Sequence, residues 1–307
     1  MRARRELVSC LSLLLLLAGC SSEMVTLGQA SAGAGSDDTA PKFAEPSLVA
    51  ELASEDAESD NPTLTADLLQ IYFTSGRDGG AGDVDVWSAK RDDAEQPFSA
   101  PEPVTAVNTD GFDTSPAVSL DGLELWVGSA RDGGLGEQDI WVSTRASTDD
   151  DWSDPVNVAE LNSAEKDIPR QPALGGTIMP LGSRRGSSGY YETFLAQRPS
   201  ESEPFSEPRE LEELEVAGQN SVDGFLTADG LTLFFNRSPG AGESTGDLFV
   251  ARRPSVSEPF APAVPLSSVN TSDDERDPWL SPDGKQLYFS SDRGGTLSIY
   301  RALASEP

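Results

Sequence analysis

One unit recurs five times along this chain at a constant interval, and that interval constrains the fold more than any single motif. A turn between two apolar runs falls at Asp67, Asp121, Gly175, Asp229 and Asp283, each 54 residues after the one before. Asp-Gly between alternating apolar runs is a two-residue hairpin signal. Ten residues past the anchor stand Arg77, Arg131, Arg185 and Arg293, with Pro239 in the fourth unit. Eighteen past it, Asp85, Asp139 and Asp247 open a third alternating run, and the shorter fifth unit offers Ser298-Ile299-Tyr300. An aromatic then precedes prolines (Phe98, Trp152, Phe205, Phe260), and nine residues later come Val107, Leu161, Leu214 and Val269. Alternation with period two specifies strands, so each unit supplies four short ones.

Four-stranded units laid end to end predict an all-β fold, a five-bladed β-propeller of antiparallel blades, with six blades as the alternative. The blades span about 59–112, 113–166, 167–220, 221–274 and 275–305. The fifth unit runs out after its third strand. Phe43 and Leu52, separated by the same nine residues as the other aromatic–aliphatic pairs, mark residues 43–54 as its missing fourth strand. Closing the ring this way leaves only short, protected edges.

SPDGKQLYFSSDRGG, with its weaker copies SLDGLELWVGSARDGG and TADLLQIYFTSGRDGG, resembles the WD40-like repeat of TolB-type β-propellers. The resemblance covers residues 43–305 and concerns the propeller domain only. It implies the fold and a non-enzymatic, partner-binding role in the bacterial envelope. TolB-type propellers usually count six blades where this chain counts five.

Residues 1–19 read as a lipoprotein signal peptide. Arg2, Arg4 and Arg5 precede an apolar core, Leu7 to Leu17, that is too short to span a bilayer. Leu17-Ala18-Gly19-Cys20 resembles the bacterial lipobox, which makes Cys20 the lipidation site. Cys10 leaves with the leader, so the mature chain has no free thiol and no disulfide. Residues 20–42 are small, polar and aperiodic, a flexible tether to the propeller of residues 43–307. Ser21 after the cysteine favours the outer membrane, with the propeller facing the periplasm. The membrane is met through the lipid alone, since several acyl chains hold where one does not.

The full chain carries a net charge of −30. Without Arg2, Arg4, Arg5 and Glu6, 19 basic residues face 51 acidic ones, a net of −32. Such a surface repels nucleic acid and anionic headgroups. There is no histidine, which removes Ser-His-Asp catalysis, imidazole acid–base work and histidine-bound metals. Carboxylate chemistry remains.

Candidate residues follow from the repeat. Arg77, Arg131, Arg185 and Arg293 lie in loops that share a face with Asp113, Asp167, Asp223 and Asp277. They are read first as Arg–Asp bridges between blades, and second as a cationic collar for an anionic ligand. Asp60 joins those four aspartates around the central funnel. A catalytic pair needs two unlike environments, whereas a repeated acid serves the repeat, so no catalytic residue is assigned. Tyr190 and Tyr191 break the third unit, as Pro239 and Glu243 break the fourth, and mark a further binding patch. Calcium is the one candidate ion, at Asp83 with Asp85 and at Asp273 with Asp274, although neither loop has EF-hand spacing. No other cofactor is expected.

Two functions fit. The first is a monomeric, lipid-anchored scaffold that docks an envelope protein or a wall component. The alternative is a glycan-binding or glycan-cleaving propeller that uses the acidic residues of its funnel, a carboxylate-dependent glycosidase or lyase if an enzyme.

Overall fold

Strands form wherever the repeat places alternation. The structure, a computed structural model, describes residues 40–240 and 245–305. The signal peptide, Cys20, most of the tether and Glu243 lie outside them. Blade 1 consists of β2 (Ser59–Leu64), β3 (Gln70–Ser75), β4 (Asp85–Lys90) and β5 (Glu102–Pro103), paired antiparallel in chain order. Blade 2 holds β6 (Asp113–Val118), β7 (Glu124–Ser129), β8 (Asp139–Thr144) and β9 (Val156–Asn157). Blade 3 holds β10 (Asp167–Pro169), β11 (Ile178–Ser183), β12 (Glu192–Gln197) and β13 (Arg209–Glu210). Blade 4 holds β14 (Gln219–Leu226), β15 (Thr232–Pro239), β16 (Asp247–Arg252) and β17 (Val264–Pro265). Blade 5 joins β18 (Glu275–Leu280), β19 (Gln286–Ser291) and β20 (Ser298–Leu303) to β1 (Ser47–Leu48).

The ring is closed by that N-terminal strand, as the repeat requires. Ser47 lies opposite Arg301 and Leu48 opposite Tyr300, and Phe43 bridges Ala304. Leu52 is completely buried. Its burial alone stabilises the closed ring by about 1.5–3 kcal/mol.

Successive blades are stitched by one backbone bond at the same repeat position. The first-strand amides of Ser59, Asp113, Asp167, Ser221 and Glu275 donate to the carbonyls of Leu297, Val84, Gln138, Tyr191 and Gly246, at 2.8 to 3.0 Å. The core lies between blades, which is where a sheet apolar on both faces must bury itself. Tyr72 and Val86 of blade 1 meet Val118, Leu125 and Trp141 of blade 2. Trp126 and Ile140 meet Met179 and Phe194 of blade 3. Phe289 of blade 5 joins a cluster containing Phe73 and Phe234.

The innermost strands decide the site. Counting each inner strand from its stitching residue (Ser59, Asp113, Asp167, Ser221 or Glu275), the backbone at the third position is left-handed in four blades: Asn61 (φ 54°), Ser115 (φ 52°), Asp223 (φ 63°) and Asp277 (φ 55°). Each interrupts the register of its strand pair as a bulge, which re-aims side chains towards the axis. In blade 3 this position is Pro169, whose ring locks φ near −65° and forbids the bulge. Blade 3 therefore presents its next residues, Arg170 and Gln171, to the channel.

Candidate functional site

The channel opens on the face of the inter-blade loops into a funnel of about 530 Å³. Asp60, Asn61, Lys166, Arg170, Asp223, Arg276 and Asp277 line it, and Phe112 stands at its rim with half of its surface exposed. Arg170 reaches across the axis. Its Nη2 donates to Asp223 Oδ1 and, at 3.3 Å, to Asp277 Oδ1, while Nη1 donates to Asn61 Oδ1 at 2.8 Å. Arg276 Nη2 donates to Asp60 Oδ2 at 3.1 Å. Three aspartates thus face two guanidinium groups and the Lys166 ammonium, while the exposed Asp56 and Glu58 on the same lining leave the funnel as a whole with an excess of acid.

Burial dominates the titration of this floor. It pushes the Asp60 carboxyl up to about 6, reinforced by the charge of Asp277 and opposed by Arg276. Asp223 is likewise pushed up to about 6 by burial, against the pull of Arg170. Burial pushes the Lys166 ammonium down, with Asp223 and Asp60 opposing. The funnel therefore holds carboxyl groups that carry protons near neutral pH.

Gln171 closes the channel beneath. Its side-chain amide donates to the carbonyls of Leu64 and Val118 and its oxygen accepts from Trp279 Nε1 at 3.1 Å. On the far side a second cavity, of about 360 Å³, opens among the hairpins and is lined by Leu120, Phe225, Leu280 and Pro282.

The five expected funnel aspartates occupy three different stations. Asp113 and Asp167 stand at the first position of their strands, fully buried, and pair with Arg131 at 2.9 Å and Arg185 at 2.5 Å. Asp60 stands at the second position, and Asp223 and Asp277 at the third. Their spacings (53, 54, 56 and 54 residues) already carried that offset. Arg293 pairs with Glu275 at 2.9 Å, not with Asp277.

The expected Arg–Asp bridge also corrects in kind. The ion pairs of Arg131, Arg185 and Arg293 each lie within one blade, and the tie to the preceding blade is a bond to a backbone carbonyl. Arg77, Arg131, Arg185 and Arg293 donate through Nη2 to the carbonyls of Leu52, Val107, Leu161 and Val269. Arg77 has a hydroxyl, Ser59 Oγ, where the others have a carboxylate. Arg237 fills the vacant fourth place, with Nη2 on the carbonyl of Leu214 at 2.8 Å, two residues ahead of Pro239. These guanidinium groups are committed to the frame.

A second arginine set went unread. Arg91, Arg145, Arg198 and Arg253 lie over Phe98, Trp152, Phe205 and Phe260 at 4.1 to 4.6 Å. Each also donates through Nε to a hairpin carbonyl at 2.7 Å. The signal was present, since Arg198 and Phe205 both run one residue early relative to the 54-residue period. Arg170 was readable too: it replaces Pro62, Pro116 and Pro278 at its repeat position.

Away from the axis, Tyr191 lies 4.9 Å beneath the Arg184 guanidinium, and the Tyr190 ring lies against Gly240. Asp85 is buried and accepts the Gly82 amide at 3.0 Å, while Asp83 is exposed. Asp274 accepts the Gly246 amide at 2.7 Å, and Asp273 is half-buried beside it. Among the described residues, the one group of three carboxylates close enough to share an ion is elsewhere, at Glu192, Glu210 and Glu215.

No protein-family model matches the sequence, and no curated protein matches it. Solved structures do resemble the fold. The catalytic domain of a GH62 α-L-arabinofuranosidase from Coprinopsis cinerea superposes with a TM-score of 0.54 at 11% identity, over 86% of this chain and 97% of that one. The endo-arabinase of Bacteroides thetaiotaomicron gives 0.54 at 12% identity, over 86% and 98%. TolB from Acinetobacter baumannii gives 0.51 at 14% identity, over 83% of this chain. This chain spans 56% of that TolB chain. Identities this low establish the architecture alone: an all-β propeller of four-stranded antiparallel blades.

Proposed function

We propose that the funnel is a saccharide site, and that Asp60 is the group able to give a proton to a glycosidic oxygen there. The observation that carries this reading is the pairing of one exposed aromatic at the rim, Phe112, with a polar floor that holds both guanidinium donors and carboxylate acceptors. Phe112 is the one aromatic among the exposed large apolar residues described, and it stands where the apolar face of a sugar ring would rest. Below it, guanidinium donors and carboxylate acceptors suit vicinal hydroxyls. The funnel's volume falls within the range of about 300–1,000 Å³ usual for small-molecule sites. A carboxyl raised to about 6 keeps its proton to higher pH than an ordinary aspartate, which suits a general acid working in mildly acidic surroundings. The likeness to arabinose-releasing propellers makes arabinose-containing glycans the first class to test.

The proposal sets the propeller in the bacterial envelope on a lipid at Cys20, facing the periplasm from the outer membrane; the support is the Leu-Ala-Gly-Cys motif and Ser21. A docking reading has one observation of its own, the hairpin-face cavity, whose lining mixes Leu120, Phe225 and Leu280 with Asp229 and Asp283, together with the likeness to TolB. The test is binding and reducing-sugar release by the mature chain on a panel of plant and wall glycans. Wild type is expected to bind, Phe112→Ala to lose binding while remaining folded, and Asp60→Asn to bind without releasing sugar. Absence of wild-type binding across the panel refutes the saccharide reading.

A further inference from the structure

Blade 3 departs from the repeat at a second place, far from the funnel axis. In blade 2 the acid opening the third strand is satisfied by neighbours. Asp139 accepts the amides of Leu135 and Gly136 and the side-chain amide of Asn157 at 3.2 Å. Asn157 Oδ1 in turn accepts from Asn162 Nδ2 at 3.3 Å. In blade 3 the same three stations are all acids. Glu192 pairs with Ser183 as Asp139 pairs with Ser129, and Glu210 lies across from Phe194 as Asn157 lies across from Trp141. Glu215 follows the buried Leu214 as Asn162 follows Leu161. Two donors have become acceptors, facing a third acceptor.

The three carboxylates converge. One oxygen of each lies within 4.8 Å of the others, the span two ligands have across a calcium ion at about 2.4 Å. Glu192 is 4% exposed, and its Oε2 is buried without a hydrogen-bond partner. That oxygen is aimed into the cluster: a Cβ on Gly186 would stand 2.9 Å from it and 3.0 Å from Glu210 Oε2. Glycine at 186 thus leaves open the space where the oxygens meet. No ion pair among the described residues involves any of the three, whereas the buried acids Asp113, Asp167 and Glu275 each have an arginine. Glu215 is exposed, which gives access from solvent.

We propose that Glu192, Glu210 and Glu215 form a site for a hard divalent cation of calcium size. Oxygen-only ligands on a blade edge, with no nitrogen or sulfur donor, favour calcium over transition metals. The ion supplies the positive charge that this cluster lacks and pins β13 and the turn after it to β12.

Calorimetric titration of the mature chain with calcium chloride tests this. One saturable site is expected, in the roughly 10⁻⁴–10⁻³ M range of extracellular modules. Calcium about 100-fold above its Kd should raise Tm by roughly 5 °C. Glu210→Gln and Glu215→Gln should each weaken binding at least about tenfold and remove the Tm shift. Glu215→Gln changes an exposed side chain and keeps the test open should Glu210→Gln not fold. No saturable binding up to about 10 mM calcium, or binding unchanged in the folded variants, overturns the site.

Discussion

Arg131→Ala and Arg77→Ala together test what the inner arginine set contributes. The two side chains make parallel bonds. Arg131 donates through Nε to Ser129 Oγ at 2.7 Å, and Arg77 through Nε to Ser75 Oγ at 3.1 Å. Both donate to a carbonyl of the segment before their blade, Val107 or Leu52, and both lie over a tryptophan at 5.2 to 5.4 Å. They differ in one acceptor: a fully buried carboxylate at Asp113, a hydroxyl at Ser59. Removing Arg131 strands a buried charge, which costs about 3–5 kcal/mol. Thr109, through its amide and hydroxyl, still donates to the other oxygen, Oδ2, and holds the loss towards the lower figure. After loss of Arg77, Ser59 Oγ keeps its bond to the Leu52 carbonyl at 3.1 Å, so roughly 1–2 kcal/mol is expected. At about 2–4 °C per kcal/mol, Tm should fall by roughly 6–20 °C for Arg131→Ala and roughly 2–8 °C for Arg77→Ala. Calorimetric or circular-dichroism melts decide. Equal losses, or a larger loss for Arg77→Ala, would refute the claim that the buried carboxylate sets the difference.

Further outcomes follow from other residues. Asp60 and Asp223 are raised from the ordinary 3.8 to about 6 in the folded chain, so the fold binds their protons more tightly than the unfolded chain does. Their stabilising contribution is complete below 3.8 and is lost as pH rises through 6; melts from pH 4 to 7 should be less pH-dependent in Asp60→Asn and Asp223→Asn than in wild type. Gln171→Leu leaves the Trp279 indole N–H buried without an acceptor, a loss of about 1–3 kcal/mol, with an altered tryptophan near-UV signal as the readout. Phe43→Ala, in the segment that closes the ring, should cost about 3–5 kcal/mol in urea unfolding. Cys20→Ser should abolish fatty-acid labelling and release the chain into the soluble fraction.

The 54-residue period by itself determined the all-β fold, the blade count and the closing of the ring by residues around Phe43 and Leu52. Those features depend on main-chain periodicity and on which residues are apolar, and both are written locally. The hairpins illustrate this: repeat positions 122, 176, 230 and 284 are glycine, and Leu68 takes the same left-handed turn at φ 64°. The inner arginines were legible as a set, but their partners were not. A partner depends on whether a side chain leaves its strand at the first, second or third position, and a bulge shifts that by one residue. Asp223 and Asp277 fall two residues later in the period than Asp113, an offset the spacing carries, but the left-handed backbone at 223 and 277 is what turns those two into the funnel while Asp113 stays inside its blade.

The tertiary structure alone decided which departures from the repeat meet one another. Arg170, Asp223 and Asp277 come from three blades and share one guanidinium nitrogen. Glu192, Glu210 and Glu215 come from separate segments of one blade and share one space. A linear pattern states which side chains a blade carries. Only closure of the ring and pairing of the strands fix the distances on which charge, proton affinity and ligand binding depend.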